Sequence, residues 1–265
     1  KIAIPPIEEQ TKIVLFLDEK IAKIDRFIAN KQRMAALLRE QKQAVITAAV
    51  TGKLDVCGKK RNAKDANDAR DARAWFGEIP SHWEVKRAKY YFKEVDIRST
   101  TGLEELLSVS HITGVTPRSE KNIYMFKAEN YEGYKLCDVG DIVINTMWAW
   151  MAAVGVSKHF GIVSSSYHTY KQINPLTYDD TYLDMLLRTN IYKNLYVINS
   201  KGVTDSRLRL YPESFLKIPF VRPPIEEQKR IVSWIQQSCK GIDITITRIE
   251  REIAQRLKGK TNQIQ

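Results

Sequence analysis

Two stretches of the sequence place apolar residues at alternating spacings of four and three positions. In the first stretch these positions are Leu17, Ile21, Ile24, Ile28, Lys31, Ala35, Leu38, Lys42, Val45 and Ala49. In the second they are Ile235, Cys239, Ile242, Ile246, Ile249 and Ile253. This heptad spacing predicts two long α-helices that pair as a coiled coil through their apolar residues. Lys31 and Lys42 interrupt the first seam, and polar residues at such positions can fix register or orientation. The alternative is a helical hairpin of the core with no separate role.

Both helices start with the same six residues. The sequence Pro-Pro-Ile-Glu-Glu-Gln occupies residues 5–10 and recurs at residues 223–228, an offset of 223 − 5 = 218. Proline favours a first helical turn, and the glutamates complement the positive end of the helix dipole. We expect the first helix to end near Thr51-Gly52-Lys53, so that residues 13–50 would extend roughly 55 Å.

Between the two repeats lies a single globular region. Residues 54–74 are polar and low in complexity, which indicates a linker, and a basic arm that touches phosphate is the alternative. Short β-branched and aromatic runs then alternate with turn residues, and one helix is predicted over Thr181–Tyr196. The fold class predicted is therefore α+β: one domain at 75–222 flanked by helical repeats at 1–53 and 223–265.

Composition adds few constraints. The 265 residues carry a formal charge of +11, which favours a polyanionic partner. The charge is spread as +4 over residues 1–53, +2 over 54–74, +2 over 75–222 and +3 over 223–265, so it does not locate a site. Three separated cysteines and four scattered histidines predict neither disulfides nor a metal site, and favour the cytoplasm. No apolar run approaches about 18 residues, so no membrane span is predicted.

Motifs for catalysis are missing. Asn174-Pro175-Leu176-Thr177 departs from the Asn/Asp-Pro-Pro-aromatic motif of amino-methyltransferases, and no phosphate-binding loop occurs. Ser164-Ser165-Ser166 lacks the context of a nucleophile elbow. We therefore expect a protein without catalytic residues and without a cofactor of its own.

Three stretches instead combine hydroxyl, amide, cationic and aromatic side chains suited to nucleic acid. Each alternative is structural: the tryptophans could belong to the core, and the two arginines at alternate positions could line the exposed face of a strand. The candidate DNA-binding residues are Thr116, Arg118, Ser119 and Lys121 in the first stretch, Asn145, Trp148 and Trp150 in the second, and Lys201, Thr204, Arg207 and Arg209 in the third.

The chain resembles the specificity subunits of type I restriction-modification systems. The resemblance lies in the repeated Pro-Pro-Ile-Glu-Glu-Gln helices, residues 48–55 closing the first helix, and the segments 75–83, 140–145, 165–167 and 202–210. It implies recognition of one half of a bipartite site in double-stranded DNA. It also implies docking of methyltransferase subunits and, through them, of the restriction and translocation subunit.

Such subunits carry two recognition domains, whereas this chain has one. Residues 1–4 resemble the end of a recognition domain, which favours a C-terminal portion of a longer subunit. The alternative is a half-subunit that forms a homodimer and reads an inverted repeat. Two other functional classes stay open: a helical assembly scaffold without DNA specificity, and an enzyme with an unrecognised active site.

Overall fold

A computed structural model describes residues 5–54, 56, 75–120, 130–204 and 207–264, with side chains as far as Lys258. Our predictions for residues 1–4, for most of the linker and for Lys121 lie outside this part of the chain. The protein divides into two compact units. One comprises Lys1–Val45 with Gln236–Gln265, and the other comprises Ile46–Ile235.

The elements follow one another in mixed order. They are α1 (Ile7–Val50), β1 (Glu84–Arg87), β2 (Phe92–Val95), β3 (Leu107–Ser110), β4 (Gly114–Pro117), β5 (Lys135–Cys137), β6 (Ile142–Ile144), β7 (Val154–Val156), β8 (Gly161–Val163), β9 (His168–Gln172), α2 (Asp180–Leu187), α3 (Asn190–Asn199), α4 (Pro212–Phe215), β10 (Pro219–Arg222) and α5 (Ile225–Ile264). Short 3-10 turns cover Ala88–Tyr90, Arg118–Glu120 and Ala149–Met151. The α+β fold class is as predicted.

In the first unit, α1 and α5 pair in antiparallel orientation. Three ion pairs join the helices, and their residue numbers rise along α1 as they fall along α5: Lys31–Glu252 at 2.7 Å, Arg39–Glu250 at 2.5 Å and Lys42–Asp243 at 2.6 Å. The two lysines that interrupt the heptad seam therefore each find a carboxylate on the facing helix. A lysine within the seam that reaches a carboxylate in only one register of the two helices favours that register over shifted ones.

Burial along the two helices follows the heptad positions. Ile28, Ala35, Cys239, Ile246 and Ile249 are buried. Most other seam positions in the described residues are half-buried: Ile21, Ile24, Leu38, Ile242 and Ile253. Leu17 differs, since 37% of its surface is exposed. Ile235, the first seam position of the second helix, is buried within the other unit.

The second unit is built on a four-stranded antiparallel sheet in the order β2-β9-β6-β7, with three further strand pairs β1-β10, β3-β4 and β5-β8. Every residue of β6 and β7 is buried, because both strands lie inside the unit. The core is rich in aromatic side chains that pack mostly edge-on or tilted, among them Tyr170 on Phe215 at 4.5 Å between ring centroids. These contacts hold the ends of β6 and β9 in fixed positions.

Two segments differ from the sequence-based expectation. The helix predicted over Thr181–Tyr196 is divided into α2 and α3, because the Thr189 hydroxyl caps a new helix by accepting from the Tyr192 N–H at 3.4 Å. The apolar and aromatic residues of Leu208–Tyr211 also predict a strand, but the structure has a single bridge there, between Lys201 and Arg209, after which Pro212 starts α4.

Candidate nucleic-acid interface

The segment between β6 and β7 forms a nine-residue loop, 145–153, at the end of the central sheet. The Asn145 N–H donates to the Ala153 carbonyl at 3.0 Å, which closes the base of the loop. At its tip Met147 is 37% exposed and Trp148 is 49% exposed, while Trp150 is half-buried. Trp148 therefore does not belong to the core, which was the structural alternative to a binding role.

Strand register brings a second segment to this loop. β6 and β9 are antiparallel with Ile144 opposite His168, so the next residues out are also opposite one another. The Asn145 amide donates to the Tyr167 hydroxyl at 2.9 Å, and the Thr146 hydroxyl donates to the Ser166 carbonyl at 2.7 Å. The Asn145 side chain is thereby held in one orientation.

A third segment reaches the same place from β4. Arg118 follows this strand at its exit, and its charge acts on Tyr167. Burial raises the pKa of the Tyr167 hydroxyl, while Arg118 and the hydrogen bond from Asn145 partly oppose the rise. The hydroxyl stays protonated at neutral pH. Among the described residues, the buried Nη2 of Arg118 has no hydrogen-bond partner.

The other residues of the first stretch are held differently. Thr116 lies within β4 and is half-buried, and its hydroxyl has no hydrogen-bond partner among the described residues. Ser119 is exposed and donates to the Glu105 carboxylate at 2.8 Å. Thr116 and Ser119 therefore lie on a strand and on the 3-10 turn that follows it, and Thr116 is less exposed than Ser119.

The fourth segment contains the third predicted stretch. Lys201 and Arg209 exchange two backbone hydrogen bonds at 2.9 Å, and the Leu210 N–H donates to the Thr146 carbonyl at 3.4 Å. The cations therefore stand beside the 145–153 loop. Lys201 also pairs with Glu213 at 3.2 Å, whereas Thr204 and Arg207 are exposed at the turn.

Together the four segments form one surface, which we call the convergent surface: Arg118, Asn145–Trp150, Ser166–Tyr167, and Lys201–Thr204 with Arg207–Arg209. It offers hydroxyl, ammonium and guanidinium groups beside the exposed indole of Trp148, whereas the amide of Asn145 is buried and bonded to Tyr167. Such groups bind phosphate oxygens and base edges. Tyr167, Ser166 and Met147 were not among the predicted candidates. The signal that could have found Tyr167 is its place directly before β9, opposite the exit of β6.

The part of the chain that the structure describes holds no group of three histidine, cysteine or acidic side chains able to bind a metal ion. Within the same ranges, no helix combines the length and the apolar character needed to cross a bilayer.

The second copy of the repeated motif forms a tight contact in the globular unit. Glu227 is 4% exposed, and its carboxylate accepts from the Trp83 indole N–H at 3.0 Å and lies 2.7 Å from His82 Nε2. Gln228 is fully buried, accepts from the Asp179 N–H at 2.9 Å and donates to the Thr177 carbonyl at 3.0 Å.

The first copy of the motif has the same local structure without these contacts. Gln10 Nε2 donates to the Pro5 carbonyl at 2.8 Å, just as Gln228 Nε2 donates to the Pro223 carbonyl at 2.9 Å. Yet Glu9 and Gln10 are exposed, and so are the apolar residues that follow them, Ile13 at 44%, Val14 at 54% and Phe16 at 58%. The matching residues Ile231 and Val232 are buried.

No family model matches the chain. The solved structures similar to it are type I restriction-modification specificity subunits. One is the HsdS subunit from Thermoanaerobacter tengcongensis, with 14% identity and a TM-score of 0.47, where the match covers 97% of this chain and 59% of that one. Another is the S subunit of a type I system from M. genitalium, with 10% identity, a TM-score of 0.43 and coverage of 93% and 58%.

A third similar chain comes from a structural study of complex assembly and conformational transition in the type I restriction-modification system. It has 16% identity and a TM-score of 0.49, over 97% of this chain and 58% of the other. The chain thus spans less than two thirds of the length of each of these three structures.

Proposed function

We propose that this chain is a DNA-specificity component of a type I restriction-modification assembly, and that its globular domain reads one half of a bipartite site in double-stranded DNA. The observation that carries the proposal is the convergent surface. Four segments distant in sequence contribute donors, cations and an exposed indole to one place. The repeated Pro-Pro-Ile-Glu-Glu-Gln helices support the type I assignment.

The composition of this surface favours recognition over reaction. Arg118 is a residue type that pairs with guanine edges, while Lys201 and Arg207 suit phosphates. Among the described residues, neither a nucleophile with its base nor a phosphate-binding loop stands beside them. In this proposal methylation and cleavage chemistry belong to the partner subunits.

The proposed docking of methyltransferase subunits is supported by α1. Met34 is 46% exposed and Leu37 is 58% exposed, although both lie in the middle of a long helix whose seam is covered. An exposed apolar pair on a helix suits contact with a protein partner. We expect Met34→Asp with Leu37→Asp to abolish copurification with methyltransferase subunits, while Gln32→Asp on the exposed helix surface leaves it intact. Equal copurification of both variants would place docking elsewhere.

The recognition proposal is tested by sequence enrichment. The chain, coexpressed with the methyltransferase subunits of its source strain, is incubated with duplexes that carry a random central segment, and bound DNA is sequenced. We expect one half-site motif to depend on the convergent surface, so that Arg118→Ala relaxes it at defined positions. A complex that binds all duplexes alike would refute sequence recognition. Methyl transfer by the chain alone from S-adenosylmethionine would refute the non-catalytic assignment.

A second candidate concerns the exposed first motif. We propose that Glu9, Gln10 and Ile13 receive a second recognition domain, because the same residues of the second copy hold the domain described here. The added domain could belong to a longer chain or arrive with a second copy as a homodimer, which would read an inverted repeat. Light scattering after gel filtration separates these sources: a dimer that Ile13→Asp converts to monomer supports the homodimer, and a monomer refutes it.

A further inference from the structure

The tip of the 145–153 loop presents two large apolar side chains to solvent. Met147 and Trp148 are adjacent, and 37% and 49% of their surfaces are exposed. Both lie in the loop that leaves β6, every residue of which is buried, and two buried residues, Asn145 and Thr146, stand between the strand and the tip. The exposed side chains are therefore carried by a loop anchored to a buried strand.

Several contacts keep the tip in place. The Trp150 ring lies nearly parallel to that of Trp148, with centroids 6.5 Å apart and 17° between planes, and its Nε1 donates to the Met147 carbonyl at 3.1 Å. The Met147 N–H donates to the Asn145 side chain at 3.2 Å. Ala152 closes the turn with φ of 63°, a left-handed conformation that is unfavourable for alanine. A strained backbone at a fixed loop is a feature of functional sites.

Positive charge lies beside this tip. The bridge between Lys201 and Arg209 is joined to the loop by the Leu210–Thr146 hydrogen bond, and Arg207 is exposed close by. Lys201 shares its charge with Glu213. An apolar tip surrounded by cations suits a polyanion with flat apolar faces between its charges, which is the chemistry of stacked bases in a duplex.

We propose that Met147 and Trp148 form a wedge that inserts at one base step of the bound duplex. The indole of Trp148 stacks on a base and opens the step, Trp150 supports it from behind, and the arginines hold the neighbouring phosphates. The inference rests on the proposed function and adds a mode of recognition: the chain selects sequence partly through the ease with which that step is opened.

The experiment uses the complex with methyltransferase subunits and the duplex enriched by it, with 2-aminopurine replacing successive bases other than the one that those subunits extrude for methylation. Unstacking of this base raises its fluorescence. We expect a rise of several-fold at one or two adjacent positions with the unaltered chain and none with Trp148→Ala. We also expect Trp148→Ala to weaken binding by roughly 5- to 100-fold, the range of a lost base–aromatic stack. Trp148→Phe should restore part of both signals.

Trp75→Ala is the matched control, because Trp75 is 44% exposed and lies outside the convergent surface. It should change neither signal, and the urea midpoint of each variant shows that its fold is retained. If a duplex is enriched but 2-aminopurine stays dark at every position, the wedge is refuted while recognition stands. If the Trp148 and Trp75 variants behave alike, the wedge is also refuted. If no duplex is enriched, the proposed function fails and the wedge fails with it.

Discussion

The two copies of the Pro-Pro-Ile-Glu-Glu-Gln motif allow one substitution to be made twice in the same chain, once in a buried and once in an exposed setting. Glu227→Ala removes a buried carboxylate that accepts from the Trp83 indole. Glu9→Ala removes the matching carboxylate from an exposed helix start. Any effect common to the two sites, such as the loss of a charge that favours the helix dipole, cancels in the comparison.

The expected difference follows from the contacts. Trp83 is only 3% exposed, so its N–H would lose its partner without gaining water, at a cost of about 1–3 kcal/mol. The His82 side chain is 29% exposed and can turn to solvent, so it adds little. Glu9→Ala should change stability by no more than about 0.5 kcal/mol. Glu227→Gln should cost less than Glu227→Ala, because the amide oxygen can still accept from the indole.

The assay is urea unfolding followed by far-ultraviolet circular dichroism, which reports the helices of both units, together with tryptophan fluorescence. All five tryptophans lie between residues 46 and 235, so fluorescence reports only the unit that contains Glu227, whereas Glu9 lies in the other unit. Gln228→Ala and Gln10→Ala provide an independent pair, since Gln228 is buried with bonds to Asp179 and Thr177. Equal shifts of the urea midpoint for Glu227→Ala and Glu9→Ala would refute the inference that burial of the second motif stabilises the domain.

Three further predictions concern stability. Burial raises the pKa of Asp141 to about 6, above the value near 3.9 of an unfolded aspartate, so stability should fall as pH rises from about 4 to 6. Asp141→Asn should remove this pH dependence and raise the free energy of unfolding by up to about 3 kcal/mol at pH 7. Urea midpoints measured across this pH range check the prediction, and an unchanged pH dependence would contradict it. Gly52 has φ of +76°, and a Cβ atom at this position would lie 2.5 Å from a proline side chain, whereas Gly77 has φ of +71° and open space around it. Gly52→Ala should therefore lower the melting temperature more than Gly77→Ala. Equal decreases in melting temperature would exclude the steric cause. Reversing the charge of Lys42 or of Asp243 alone should destabilise the helix pair, and reversing both charges should restore its stability. The coupling energy between the two substitutions should be about 0.2–1 kcal/mol and should decrease in concentrated salt. A double-mutant cycle with zero coupling energy would argue against this ion pair.

The paired helices could be predicted from the sequence because heptad spacing is a local pattern: each apolar residue of the seam can be recognised from its spacing to the next one. Short strands such as β5 and β8 were missed, since three residues give no readable alternation. The loop with Trp148 was found from its composition. Its contact with Tyr167 was not, because it depends on the register of β6 against β9, and register between strands more than 20 residues apart leaves no trace in either segment alone.

The pairing of β1 with β10 has a consequence for how such a protein can change. Glu84 lies opposite Arg222 and Arg87 opposite Pro219, so the chain enters and leaves the globular domain on neighbouring strands. A polypeptide that folds with its own ends equally close, and that supplies the backbone contacts made here by Thr177 and Asp179 to Gln228, could be exchanged between these strands. The two paired strands keep the entry and exit points of the domain at a fixed separation, and the residues between them can diverge, recombine or be replaced as a unit.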